Sequence, residues 1–338
     1  MARKGGITRK GSKGRFRYHD RKGERITDPE VLARIEALVI PPAWKDVWIS
    51  PRVRAPLQAT GVDAAGRRQY LYHPDYRAQQ EQAKYDKLVR FAERLPALRS
   101  AMTEHMDDDS LSCERVCAIA LRLINLGWFR VGSERYAKTS RTFGITTLRK
   151  RHVTIRGSRI TFRFRAKHSI QVHTAIVDAE IAAALRELLA LEGGGRLFRY
   201  ERDGELFPLD ARKLNDYIRL HMGDEFSAKD FRTWGGTLIA AVTLAERDLP
   251  ESATAQRKTI AAVMRKVGEQ LGNTPAVARA SYVSPAVIDQ YLDGRTIDDF
   301  RARHLRVVRA RDTDLDQEER ALLSLLRSWR IRAARKAA

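Results

Sequence analysis

The spacing of apolar residues changes near Asp75 of this 338-residue chain, and that change limits the folds open to it. Upstream, apolar residues fall in short alternating runs between turn signals, the pattern of half-buried strands. Val47-Trp48-Ile49 is one such run, Val53 to Leu57 another. A third follows the turn at Ala65-Gly66, in Arg67-Arg68-Gln69-Tyr70-Leu71-Tyr72. Downstream, apolar residues recur three and four apart, as amphipathic helices require. Leu88, Phe91, Leu95 and Leu98 mark one helix; Val116, Ala120, Leu123, Ile124 and Trp128 mark another. The helical pattern is broken by strand-like residues Val153 to Ile176, with turns at Gly157-Ser158 and at Ala166-Lys167-His168-Ser169. The expected fold is α+β. A small β-rich domain would span residues 1–78. A larger, mainly helical domain with a short three-stranded sheet would span 79–338 and end in a basic helix over 314–338.

Within the first domain, residues 1–26 hold ten Lys or Arg against two acids, and read as a mobile basic arm leading into a strand at Phe16 to His19. Gly6 to Lys13 has the look of a phosphate loop but fails the pattern, because the lysine does not directly follow the second glycine. Thr27-Asp28-Pro29-Glu30 is a capped helix start. Tyr70 and Tyr72 share a strand face. With Arg67 and Gln69 read on that same face, it is either an ordinary half-exposed aromatic surface or one that meets base edges.

Charge narrows the partners. The chain carries 63 Lys plus Arg against 42 Asp plus Glu, a formal charge of +21. Such a surplus favours a polyanion, and duplex nucleic acid is the commonest. No apolar run approaches the ~20 residues that span a bilayer, and the basic N-terminus has no apolar signal core. Cys113 and Cys117 lie four apart in a helical pattern and read as core thiols of a reducing, cytoplasmic compartment. Asp107-Asp108-Asp109 sits where acids favour a helix start, so no metal is expected there. No His, Cys or carboxylate cluster has metal spacing; His168 and His173 lack a third partner.

The stretch Leu271 to Pro285 carries the chemistry. Thr274-Pro275 and Ser284-Pro285 are two helix starts, so a short helix should run from Pro275 to about Ser281 and a new one from Pro285. Tyr282 falls at the joint. Taken alone, it is either an ordinary surface tyrosine or a nucleophile held between two helices. Attack on a phosphodiester needs fixed cations for the charge that builds on the non-bridging oxygens, and arginine's planar fork suits them. A lysine on a mobile hairpin tip, such as Lys167, could protonate a leaving oxygen; equally, it could be a solvated turn residue.

Five blocks then become recognisable. Lys229-Asp-Phe-Arg232-Thr-Trp-Gly and Leu271-Gly-Asn273, with Tyr282 nine residues on, resemble the catalytic boxes of type IB DNA topoisomerases and tyrosine recombinases. Arg130 in Phe-Arg-Val-Gly-Ser-Glu-Arg-Tyr resembles their first arginine. Pro41-Pro-Ala-Trp-Lys-Asp-Val-Trp and Gly66-Arg-Arg-Gln-Tyr-Leu-Tyr resemble the front domain of compact poxvirus-type topoisomerases and their bacterial relatives. The resemblance spans roughly residues 15–300. It implies that Tyr282 forms a 3′-phosphotyrosyl link, that Arg130 and Arg232 bind non-bridging oxygens, and that Lys167 is the general acid. It further implies that Asn273 stands where many members have histidine, and that Arg67, Gln69, Tyr70, Tyr72 and Tyr136 touch DNA. The implied activity is relaxation of supercoiled duplex DNA by a monomer, without cofactor, metal or ATP, at the nucleoid. A tyrosine recombinase and a non-catalytic DNA-binding protein of the same fold are the alternatives.

Overall fold

A computed structural model describes residues 5–301 and 313–337. Residues 1–4 of the basic arm, 302–312 of the basic stretch after Asp298, and Ala338 of the last helix lie outside the described residues. The chain forms two compact units, 1–86 and 87–338.

In the first unit, strands β1 (Ile7–Lys10), β2 (Arg17–His19), β3 (Lys45–Ile49), β4 (Leu57–Val62) and β5 (Arg68–Tyr72) form one antiparallel sheet. Its order is β2-β1-β3-β4-β5. Helix α1 (Pro29–Ala37) starts where expected, with the Asp28 carboxylate accepting from the N–H groups of Glu30 and Val31. Ile35 of α1 meets Ile7, Val47, Ile49 and Ala59 of the sheet in the buried core, with Trp44 and Leu71 packed around them. The arm is therefore not mobile over its described part. Ile7 is buried, and the Arg9 guanidinium donates to the Trp44 carbonyl at 2.6 Å and lies 4.2 Å over the Phe16 ring. A four-residue strand with one apolar residue carries no periodic signal, which is why the pattern concealed it.

Helix α2 (Pro74–Met106) crosses the division between the units. The second unit continues with α3 (Cys113–Gly127), the short α4 (Glu134–Thr139), and strands β6 (Val153–Arg156), β7 (Arg159–Arg165) and β8 (Gln171–Val177). These three strands form the antiparallel sheet, in sequence order. Phe162 and Phe164 are buried and Arg163 is exposed, as alternation requires. Then come α5 (Ala179–Ala190), a hairpin of β9 (Arg199–Arg202) and β10 (Glu205–Pro208), and α6 (Ala211–Met222). The chain closes with α7 (Ala228–Ala245), α8 (Ala253–Leu271), α9 (Pro275–Ser281), α10 (Pro285–Leu292) and α11 (Gln317–Ala337). Asp108 accepts from the Ser110 N–H at 2.9 Å and the Ser110 hydroxyl at 2.6 Å, so it organises the turn into α3. Cys117 is buried and Cys113 half-buried, both free thiols. No helix among the described residues is long and apolar enough to cross a membrane.

Candidate active site

The site is built on the end of α8. An α-helix leaves its last carbonyls without intrahelical donors. Here Gly272, in the left-handed region at φ 60°, ends the helix and turns its N–H back to Gly268 and Glu269. The carbonyls of Leu271 and Gly272 then take guanidinium donors from elsewhere in the chain. Arg232 Nη2 donates to Leu271 O at 2.6 Å; Arg130 Nη2 donates to Gly272 O at 2.8 Å. Cations also suit the negative end of the helix dipole. One helix terminus thus gathers two arginines that lie far apart in sequence.

Each arginine is fixed from a second side. Arg232 lies in the first turns of α7, is 5% exposed, and also donates through Nη1 to the Trp128 carbonyl. Trp128 ends α3 with φ 49°. Arg130 follows it in a segment pinned by its own carbonyls: Arg130 O accepts from Ile145 N, and Val131 O from Thr146 N, each at 2.8 Å. Arg130 Nη2 also donates to Asn273 Oδ1 at 2.6 Å. Arginine has no acceptor, so the Asn273 oxygen must face it, which leaves the amide Nδ2 as a donor for another group. Burial and the nearby Arg232 charge lower the Arg130 pKa to about 10. Burial lowers that of Arg232 as well. At neutral pH both remain charged.

Tyr282 is half-buried at the joint of α9 and α10, and the Arg232 guanidinium lies 5.1 Å from its ring centroid. Its backbone is held by α7. The fully buried Thr237 hydroxyl accepts from Ser284 N at 3.1 Å and lies 3.2 Å from Tyr282 O. Two adjacent glycines permit this approach. A Cβ on Gly236 would stand 2.7 Å from Tyr282 O, and one on Gly235 would overlap the Trp128 indole. Lys167 is exposed on the turn between β7 and β8. Its flanking residues Ala166 and Ile170 line a cavity of about 150 Å³ together with Arg130, Arg232, Leu271 and Gly272. Trp128, Gly235, Gly236 and Thr237 were not singled out from sequence. The glycine pair was the available signal, since glycine inside a helix costs roughly 0.5–1 kcal/mol relative to alanine and implies a packing reason.

The expected DNA-contacting residues divide. Tyr136 on α4 is 48% exposed. On β5, Tyr70 and Tyr72 are exposed with ring centroids 6.3 Å apart, and Tyr76 extends the row at 5.6 Å from Tyr72. The expectation that Gln69 shares their face is corrected. Gln69 alternates with Tyr70, falls on the Leu71 side, and donates to Asp63 Oδ2 at 2.7 Å. Arg67 lies just before the strand and also binds Asp63, at 2.8 Å. Both side chains brace the hairpin turn in this structure. A second concavity, of about 490 Å³, is lined by Lys138, Arg141, Arg149, Arg151 and Arg196 beside α4.

The chain can now be compared with known proteins. The model for "Eukaryotic DNA topoisomerase I, catalytic core" matches residues 73–304, and that for "Bacterial DNA topoisomerase IB, N-terminal domain" matches residues 15–63. The chain belongs to the type IB DNA topoisomerase family. Among relatives of this enzyme, the DNA topoisomerase 1B of Acanthamoeba polyphaga mimivirus is 33% identical over 294 residues, covering 85% of this chain and 87% of that protein. The DNA topoisomerase 1B of vaccinia virus (strain Copenhagen) is 23% identical over 250 residues, covering 70% and 73%. The DNA topoisomerase 1 of Schizosaccharomyces pombe is 27% identical over 190 residues, covering 54% of this chain but 22% of its own length. The topoisomerase therefore carries both the catalytic core and the bacterial type of N-terminal region, an α+β arrangement that acts on DNA.

Proposed function

We propose that this type IB topoisomerase relaxes supercoiled duplex DNA through Tyr282. The observation that carries the reading is the convergence of Arg130 and Arg232 on adjacent carbonyls of one helix end, with Arg232 5.1 Å from the Tyr282 ring. Tyr282 Oη attacks phosphorus. The Oη–P bond forms, the P–O5′ bond breaks, and the strand end is held as a 3′-phosphotyrosine. Lys167 gives its proton to the leaving 5′ oxygen, and the tyrosine proton leaves to solvent. The free 5′ end rotates, then attacks the phosphotyrosine in reverse. Because the phosphoester preserves the bond energy, no ATP is consumed.

Arg130 and Arg232 bind the non-bridging oxygens, and Asn273 Nδ2, which donates to Leu271 O at 3.4 Å, has a second N–H that adds an uncharged hydrogen bond. Burial lowers the proton affinity of both guanidiniums, and the Arg232 charge lowers that of Arg130 further; an anionic phosphodiester beside them offsets both effects. Tyr70, Tyr72 and Tyr136 offer exposed rings to DNA, while Arg67 and Gln69, both bound to Asp63, brace the hairpin that carries the first two. The cations beside α4 add sequence-independent phosphate contacts. Arg130, Arg232, Asn273 and Tyr282 gather at one helix end without a residue from a second copy, and on this reading the enzyme works as a monomer on nucleoid DNA in the cytoplasm. The test is plasmid relaxation in excess EDTA without nucleotide. Wild type should relax the plasmid and Tyr282→Phe should not; equal relaxation by both would place the nucleophile elsewhere.

A further inference from the structure

The last helix holds a buried acid that the chemistry above does not use. Glu319, in the first turn of α11, is 4% exposed. Arg99 donates to both its oxygens, at 2.8 Å each. The Trp234 indole N–H donates to Oε1 at 3.1 Å, and the Asp316 N–H to Oε2 at 3.1 Å. Arg99 Nη2 in turn reaches Asn125 Oδ1 at 3.3 Å. A carboxylate this buried is stable only with such a full set of donors.

The positions of those donors matter. Trp234 lies two residues beyond Arg232 on α7. Asn125 lies near the end of α3, just before Trp128, whose carbonyl binds Arg232, and Arg130. Glu319 therefore touches the α7 segment directly through Trp234 and reaches the end of α3 through Arg99. Helix α11 is held in place because Ala321, Leu322, Leu325 and Leu326 are buried along its packed face and Leu315 is buried just before it. It also meets α10, the helix after Tyr282, where Gln290 Nε2 donates to Leu325 O at 3.3 Å.

We propose that Glu319 is a positioning residue for DNA cleavage: through Trp234, and through Arg99 to Asn125, it holds the segments bearing Arg232 and Arg130 in register. Helix α11 is thereby part of the catalytic unit and not only a basic appendage. The inference rests on the reading that the two arginines act on the phosphate.

The experiment is single-turnover cleavage of a duplex at saturating full-length protein, with DNA affinity measured separately in a Tyr282→Phe background. Glu319→Gln keeps the shape but loses the charge that binds Arg99. It should cleave about 10–100-fold more slowly, as a misplacement of the order of an ångström would produce, with DNA affinity unchanged. Trp234→Phe removes the indole hydrogen bond to the carboxylate together with part of the buried ring, and should slow cleavage about three- to tenfold with DNA affinity unchanged. The double variant should be slowed by less than the product of the two single effects, since both act through the Glu319 side chain; a full product would contradict a shared route. A folded Glu319→Gln that cleaves at the wild-type rate, even with a lower Tm, overturns the proposal. If that variant does not fold, a wild-type rate for Trp234→Phe overturns it instead. Arg232→Ala is the separate control: full cleavage by that variant would refute the arginine reading itself.

Discussion

Arg130 and Arg232 meet because two orphan carbonyls need donors and one helix end supplies both. Their residue types were legible from the chemistry of phosphoryl transfer and from the motif blocks. The carbonyl that steadies Arg232 was not, because a backbone oxygen on Trp128 leaves no mark in the sequence. Gln69 is a different kind of miss: counting by twos along β5 places it beside Leu71 and opposite Tyr70, so the signal was present. Two predictions belong at this scale. Lys167→Ala should slow cleavage of ordinary DNA by about 10²–10⁴-fold, the usual worth of general acid catalysis. It should matter far less when the leaving 5′ oxygen is replaced by sulfur, which needs no acid; equal losses on both substrates would remove the general-acid role. The second concerns pH. An asparagine does not titrate, and Arg130, with a pKa lowered to about 10, keeps its proton below that value. Asn273 and Arg130 therefore contribute no inflection to the cleavage rate between pH 6 and 8. Asn273→His should introduce one near the imidazole pKa of ~6.5, with the rate falling as pH rises through it, because the charged donor is lost.

At the scale of elements, the starts of α1 and α9 were readable because a capping side chain followed by proline is a local device with a local signature, and the start of α10 because Pro285 marks it even though Ser284 makes no cap bond. The hairpin of β9 and β10 and the strand β1 were not readable. Each strand spans four residues, too few for a periodic signal, and β1 is in addition defined by pairing to β3, distant in the chain. The contact between α7 and the Tyr282 joint is of the same nonlocal kind. Thr237→Val would leave the buried Ser284 N–H without its acceptor, a cost of about 1–3 kcal/mol. Thermal denaturation should show that loss, and cleavage should slow because Tyr282 O loses a neighbour on α7. Gly236→Ala forces a Cβ to 2.7 Å from the Tyr282 carbonyl. It should cost about 1–3 kcal/mol as overpacking, and slow single-turnover cleavage more than it weakens DNA binding. An unchanged cleavage rate would mean that the joint is not held by this contact.

For the whole molecule, the net charge of +21 says that phosphate contacts dominate affinity. If six to ten phosphates are met, binding of a duplex should weaken by about 10³–10⁵-fold between 50 and 200 mM salt. A nearly flat salt dependence, measured by fluorescence anisotropy, would contradict the role given to the basic surface beside α4. The broad division into a β-rich front and a helical body was visible in the change of periodicity near Asp75. Where the second unit begins was less so, since α2 runs unbroken through the division at 86/87 and a continuous helix conceals such a boundary. The central claim is covalent: Tyr282 becomes joined to the 3′ phosphate of the cut strand. Its most direct test is to stop the reaction with detergent on a strand labelled upstream of the cut, digest the protein, and sequence the DNA-bearing peptide by mass spectrometry. The account predicts one modified peptide spanning Pro275 to Pro285, carrying a 3′-linked nucleotide on Tyr282, and none from Tyr282→Phe. A nucleotide found on any other residue, or a 5′ linkage, would contradict it.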